Sequence, residues 1–313
     1  MQVTNTFVNP AQTVAHPLPP LTKGQIDRVR HKAEIPLYVI CIIIGIIAAI
    51  LAFDYIVFGG FFSDDAEAVS TSVVAAVMSE DDFAEDEEEA VGSFLFLVFF
   101  SPIILFFVMH LWYAETRAYS VRVTEKNFPE IYHKSVEFAY RLGLKKVPAV
   151  YIQQQNGILN AFAAAIIGKR YSMLNAELVD VAYMEHRDFE AVYFTLAHEF
   201  GHIYFKHVTI WHNIMTFVAH MIPVFGQLHS RSREYSCDRV AQLLMGHNCV
   251  QEEMVFTAGR HLYKYVDVAD YLETVKKDRG IFLWFVNLLA THPIPPKRVA
   301  ALVDPQMKSG KLF

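Results

Sequence analysis

Cysteine is scarce in this sequence. Its 313 residues contain three, Cys41, Cys237 and Cys249. They are too scattered for a disulfide framework, and none forms a C-x-x-C metal pair. A reducing compartment suits such a chain. Charge is also sparse, at 19% of residues against 53% hydrophobic, a balance that points to membrane segments. Lys and Arg never gather into a dense stripe with interleaved aromatics, which excludes nucleic acid as a partner. A cleavable signal peptide is absent as well, because the first hydrophobic run begins too late. One stretch lacks positive charge altogether: residues 60–93 hold eleven Asp or Glu and no Lys or Arg. The net charge of −6 therefore belongs to one loop, and the remainder is mildly basic.

What is present divides the chain into five segments. Residues 1–34 are polar and spotted with Pro17, Pro19 and Pro20, and they read as a disordered cytoplasmic tail. Residues 35–53 form an Ile-rich run without formal charge, close to the roughly 20 residues that cross a bilayer. Residues 35–58 are therefore taken as a first transmembrane helix. Residues 59–91 form an acidic loop, read as a solvated charge run. Residues 92–114 are a second apolar, Phe-rich helix; Pro102 is tolerable in a membrane helix. Trp112 and Tyr113 fall where an interfacial aromatic belt would lie. Basic residues flank the pair on both outer sides: Lys23, Arg28, Arg30 and Lys32 before it, Arg117, Arg122 and Lys126 after it. The positive-inside rule then predicts a hairpin with both ends cytoplasmic, in a cell inner or plasma membrane, so that residues 115–313 form a cytoplasmic domain.

The chemistry concentrates at His198-Glu199-Phe200-Gly201-His202. On a helix His198 and His202 share a face and can offer two imidazole nitrogens to one Zn²⁺. Glu199, one step round, can take a proton from a metal-activated water without ligating. Asp188 is the expected N-cap. Phe189, Val192, Tyr193, Leu196, Phe200 and Ile203 recur at helical spacing, while Phe194 and Phe205 flank the histidines, so the helix should be buried. Residues 232–245 resume a helical pattern with Glu234 and Asp238 on one face. Glu234 can supply the third ligand of an open zinc site. Asp238, one turn on, can accept from the outer nitrogen of His198. The bland alternative pairs both acids with Arg233 and Arg239.

Around these helices, residues 129–142 read as an amphipathic helix. Residues 148–153, 160–163 and 170–174 read as short strands, with a turn at Gly168-Lys169. Residues 207–230 carry no formal charge but several histidines; they read as a helix that packs on the domain or rests on the membrane surface, broken near Pro223. Residues 281–290 are apolar but too short to span, so they read as core. His292 lies in a proline-rich loop. The fold class expected is mainly α with a small antiparallel β-sheet (α+β), anchored by a two-helix hairpin.

Taken together, H-E-F-G-H, R-E-Y-S-C-D-R and T-H-P-x-x-x-x-R, preceded by N-A-F-A, resemble the HtpX-like membrane zinc metallopeptidases, a family that also contains the CAAX prenyl proteases. The likeness covers residues 115–305. Cys237 departs from it, standing where a small residue is usual, and the membrane insert of HtpX between the zinc helix and the third ligand is missing. The resemblance implies a zincin-type (gluzincin) fold and one Zn²⁺ on His198, His202 and Glu234, with Glu199 as general base and later acid. It also implies that Asn160 holds the substrate backbone on an edge strand, that His292 sits near the developing oxyanion, and that Arg298 supports the cleft. The expected activity is endopeptidase cleavage of protein or peptide substrates by a bilayer-anchored enzyme, with membrane-protein quality control as one setting. The rivals are a CAAX prenyl-processing protease and an inactive membrane scaffold of the same fold.

Overall fold

The computed structural model describes residues 18–58, 84–185, 187–277, 280–304, 310 and 312. Thr22 opens the first helix, α1 (Lys23–Val29), with a capping box closed by Gln25. This satisfies two orphan donors of the first turn. Ile26 and Val29 are buried in the main core, and the Leu21 N–H donates to the Arg141 carbonyl at 2.7 Å. From Leu21 onward the expected tail is thus folded structure. Polar composition concealed two apolar anchors spaced to face one side of a short helix.

Two long helices follow, α2 (Glu34–Phe58) and α3 (Ala84–Tyr119). Within them Glu34–Val57 and Ala90–Tyr119 are long and apolar enough to cross a membrane, by length and composition. Many of their apolar side chains, among them Ile43, Ile50, Phe96 and Phe107, are exposed. Phe53 stacks on Phe99 and Gly92 lies against the Tyr55 ring, so the pair runs antiparallel. The acidic loop expected between them falls, over residues 59–83, outside the described residues.

The sheet contains β1 (Val121–Arg122), β2 (Ala149–Gln153), β3 (Ala161–Ile166) and β4 (Lys169–Asn175), in the order β1-β2-β4-β3. The β3–β4 pair is an antiparallel hairpin through Gly168 at φ 75°, a conformation that favours glycine. β2 and β4 are parallel, so the sheet is mixed rather than antiparallel. The cause is the connection: residues 154–160 are too long for a tight turn and carry the chain past the position β4 later fills. Alternation along the strands separates two faces. Val150, Ile152 and Leu174 enter the main core, while Tyr151, Tyr171 and Met173 pack with Tyr113 of α3.

Helix α4 (Pro129–Arg141) covers the core with Ile131 and Phe138. A short α5 (Ala176–Asp180) leads to α6 (Glu190–Tyr204), α7 (Ile210–Met221), α8 (Phe225–Met245), α9 (Val250–Ala258), α10 (Val268–Lys277), α11 (Ile281–Leu289) and α12 (Pro295–Val303). The break before α8 falls at Pro223, with Val224 at φ 72°. α7 packs on the long hairpin: Val218 joins Ala48, Ala52 and Val98 in one cluster, and a Cβ on Gly45 would meet the Met215 carbonyl oxygen at 2.7 Å. α11 corrects the expectation of a core segment. Phe282 is 81% exposed, and Ile281, Trp284 and Phe285 are exposed too; only Asn287 and Leu288 are buried. Its C-terminal end is held by Arg231 Nη1, which donates to the carbonyls of Asn287, Leu288 and Ala290. Apolar composition does not distinguish a side chain facing the core from one facing outward.

Candidate metal centre

The site is built by α6 crossing α8. Residues from Ala191 to Ile203 on α6 are almost all buried, as an all-round apolar helix requires. The helix begins at Glu190 with Phe189 in the cap position. Asp188, the expected cap, stands one residue further out. There it accepts from the Glu190 N–H at 3.0 Å and from the Tyr263 hydroxyl at 2.5 Å. Close approach of the two helices depends on Gly201. A Cβ there would lie 3.2 Å from both Cα and Sγ of Cys237.

That contact brings two imidazole nitrogens and the carboxylate of Glu234 together. His198 Nε2 and His202 Nε2 are 3.1 Å apart. Glu234 Oε2 is 3.2 Å from His198 Nε2, and Oε1 is 3.4 Å from His202 Nε2. Ligands about 2.0–2.1 Å from a tetrahedral Zn²⁺ sit about 3.3 Å from one another, so the set fits one such ion. Two imidazole nitrogens and a carboxylate are also the donor chemistry of zinc peptidases.

The electrostatics agree. Burial alone would lower the His198 imidazole, but the Asp238 and Glu234 carboxylates overcome it and push it up to about 10. The same negative field favours a divalent cation. Burial opposes ionisation of Asp238, yet Arg298 and His198 bring it down to about 2. Glu199 is buried, and burial raises its carboxyl above the usual range.

The surrounding residues fall into place as follows. Asp238 Oδ1 lies 2.8 Å from His198 Nδ1, so the nitrogen facing Glu234 is Nε2. Arg298 sits behind Asp238 and donates through Nε at 2.9 Å and Nη2 at 2.6 Å. Its Nη1 reaches Glu253 Oε1 at 3.0 Å. His292 Nε2 is 3.6 Å from Glu234 Oε2, on the open side of the site, with the side chain 64% exposed. Asn160 lies one residue before β3, which is the sheet edge. Its Oδ1 accepts from the Ala161 N–H, and β3 packs against α6. Sequence reasoning missed three buried residues next to the site: Glu253, on Arg298; His207, 3.1 Å from His202; and Glu34, 2.9 Å from His207. Only His207, five residues after His202, lay near enough to the motif to draw attention.

A buried carboxylate crossed by two helical histidines, with a glutamate beside them, defines a metallopeptidase. The chain belongs to peptidase family M48, whose model matches residues 125–306, more than half of its length; HtpX-like metallopeptidases are members of that family. The chain is also similar to plastoglobule-localized metallopeptidase 48, chloroplastic, of Arabidopsis thaliana. Identity is 31% over 140 residues, covering 40% of this chain and 38% of that protein. No solved structure matches this chain.

Proposed function

We propose that this protein is a membrane-anchored, zinc-dependent endopeptidase whose catalytic site faces the cytoplasm. The observation that carries the reading is the convergence of His198 Nε2 and His202 Nε2, 3.1 Å apart, on the Glu234 carboxylate, whose Oε2 lies 3.2 Å from the first and whose Oε1 lies 3.4 Å from the second. Zinc held there supplies a Lewis acid that acidifies water and polarises a carbonyl. Glu199 accepts the proton of the attacking water at its carboxylate and later delivers it to the leaving amine. His292, on the exposed side of Glu234, donates from its imidazole toward the oxygen that gains charge. The free edge of β3 pairs with an extended substrate, and Asn160 aligns it. The two apolar helices span the bilayer as a hairpin, with the basic flanks holding both ends inside.

The test is metal content and casein cleavage by purified wild type and Glu199→Gln. We expect one zinc per chain in both and hydrolysis in wild type only. Full activity in Glu199→Gln rejects the mechanism. A wild type that binds zinc but cleaves only a farnesylated peptide, leaving unfolded casein intact, moves the assignment to prenyl processing.

A further inference from the structure

Each zinc histidine has an outer nitrogen, and each outer nitrogen has a partner. For His198 the partner is Asp238. For His202 it is another histidine: His202 Nδ1 lies 3.1 Å from His207 Nδ1. His207 Nε2 in turn lies 2.9 Å from Glu34 Oε1. His207 and Glu34 are both almost fully buried. Glu34 is itself fixed by the Arg30 guanidinium at 2.5–2.6 Å and by the Ser236 hydroxyl, which also accepts from the His31 N–H at 2.9 Å.

We propose that His207 and Glu34 are positioning residues that hold His202 in its metal-binding tautomer, so that the first residue of the apolar hairpin completes the metal centre. This rests on the zinc-peptidase reading above. The proton order follows from the ligand outward. To ligate, His202 Nε2 must present a lone pair, which places its proton on Nδ1. His207 Nδ1 must then accept, so the His207 proton resides on Nε2. That N–H meets the Glu34 carboxylate, which only accepts. Every link therefore has one donor and one acceptor. Reversing the order puts a proton on His202 Nε2, pointing at His198 Nε2. Glu34 thus does for His202, through an intervening imidazole, what Asp238 does directly for His198.

Cys237 Sγ lies 3.8 Å from His207 Nδ1, and His202, His207 and Cys237 are near enough to be weighed as donors to a second ion. A second ion there would need His202 to surrender both ring protons. Metal counting separates the two arrangements.

The experiment measures zinc stoichiometry and affinity by competition with a chromophoric chelator, on the full chain in detergent. It compares wild type with His207→Leu, His207→Gln, Glu34→Ala and Glu34→Gln, with Glu234→Ala as the control that removes a ligand. His207→Leu and Glu34→Ala are expected to weaken zinc binding about 10–100-fold. The Gln variants, whose side-chain carbonyl still accepts, recover most of that loss. A folded His207→Leu that binds zinc as tightly as wild type overturns the proposal, as do two zinc ions per chain. Should His207→Leu not fold, the Glu34 pair decides: Ala weak and Gln restored supports it, and equal affinities overturn it. Wild type that binds no zinc removes the peptidase reading itself. Zinc lost in Glu234→Ala but kept in His207→Leu removes only the relay.

Discussion

Arg298 offers the sharpest perturbation. Its guanidinium makes two parallel hydrogen bonds to Asp238 and a third contact to Glu253, joining α12 to α8 and α9. Both carboxylates are buried. Replacing Arg298 with Met keeps most of the volume but removes the cation. Glu253 can respond by taking up a proton. Asp238 cannot do so without weakening its hold on His198. Breaking one partner of a buried ion pair costs about 3–5 kcal/mol, a fall in Tm of roughly 5–15 °C for a domain of this size. Zinc affinity should fall about 10–100-fold, because Asp238 no longer fixes His198. Arg298→Lys is expected to fall between, since one ammonium cannot match the parallel pair and reach Glu253 as well. The assays are thermal unfolding in detergent and chelator competition. Wild-type stability together with wild-type zinc affinity in Arg298→Met would refute the reasoning.

Two further changes probe the same centre. Gly201→Ala places a methyl group 3.2 Å from the Cys237 backbone, so α8 must retreat by a few tenths of an ångström. The expected cost is about 1–3 kcal/mol, with zinc affinity reduced because Glu234 moves along with Cys237; unchanged unfolding and zinc binding would show that the contact is slack. Glu253 supplies a pH signature. Burial pushes its carboxyl up to about 7, against the pull of Arg298. The unfolded chain releases that proton near pH 4.3. Between those values the folded state holds a proton the unfolded state has lost, so stability falls as pH rises from about 4.5 to 7. Glu253→Gln should flatten that limb in unfolding scans, and an unaltered pH slope would discount the shift.

The sequence was legible where local periodicity and chemistry coincide. The spacing of His198 and His202 gave one helix face, and Glu234 with Asp238 gave another; the structure sets the two faces against each other. Gly168 marked the β3–β4 turn for the same reason, a purely local conformational demand. Pairing across distance was not legible. Nothing in residues 148–175 says that β2 runs parallel to β4, because the strand order depends on where a seven-residue loop travels. Nor could the apolarity of residues 281–290 reveal that Phe282 and Trp284 face outward. Glu253 and Glu34 belong to no motif in the sequence. Their roles depend on Arg298, 45 residues further on, and on His207, 173 residues away.

These long-range partners bear on what counts as the catalytic unit. A boundary at residue 115 separates a membrane anchor from a peptidase domain on composition alone. The contacts cross that boundary at its most sensitive point. Ile26 and Val29 fill the same core as Leu196 and Phe200 of the histidine helix α6. Glu34 binds Ser236, two residues after the third donor, and reaches His202 through His207. α7, which joins the histidine helix to the glutamate helix, packs against α2 and α3 rather than against the sheet. A hairpin that served only as a tether would need none of these contacts. Any tilt of α2 displaces Glu34, and hence the outer partner of His202, without touching the donor atoms. On this geometry the apolar hairpin is continuous with the site through Glu34 and His207.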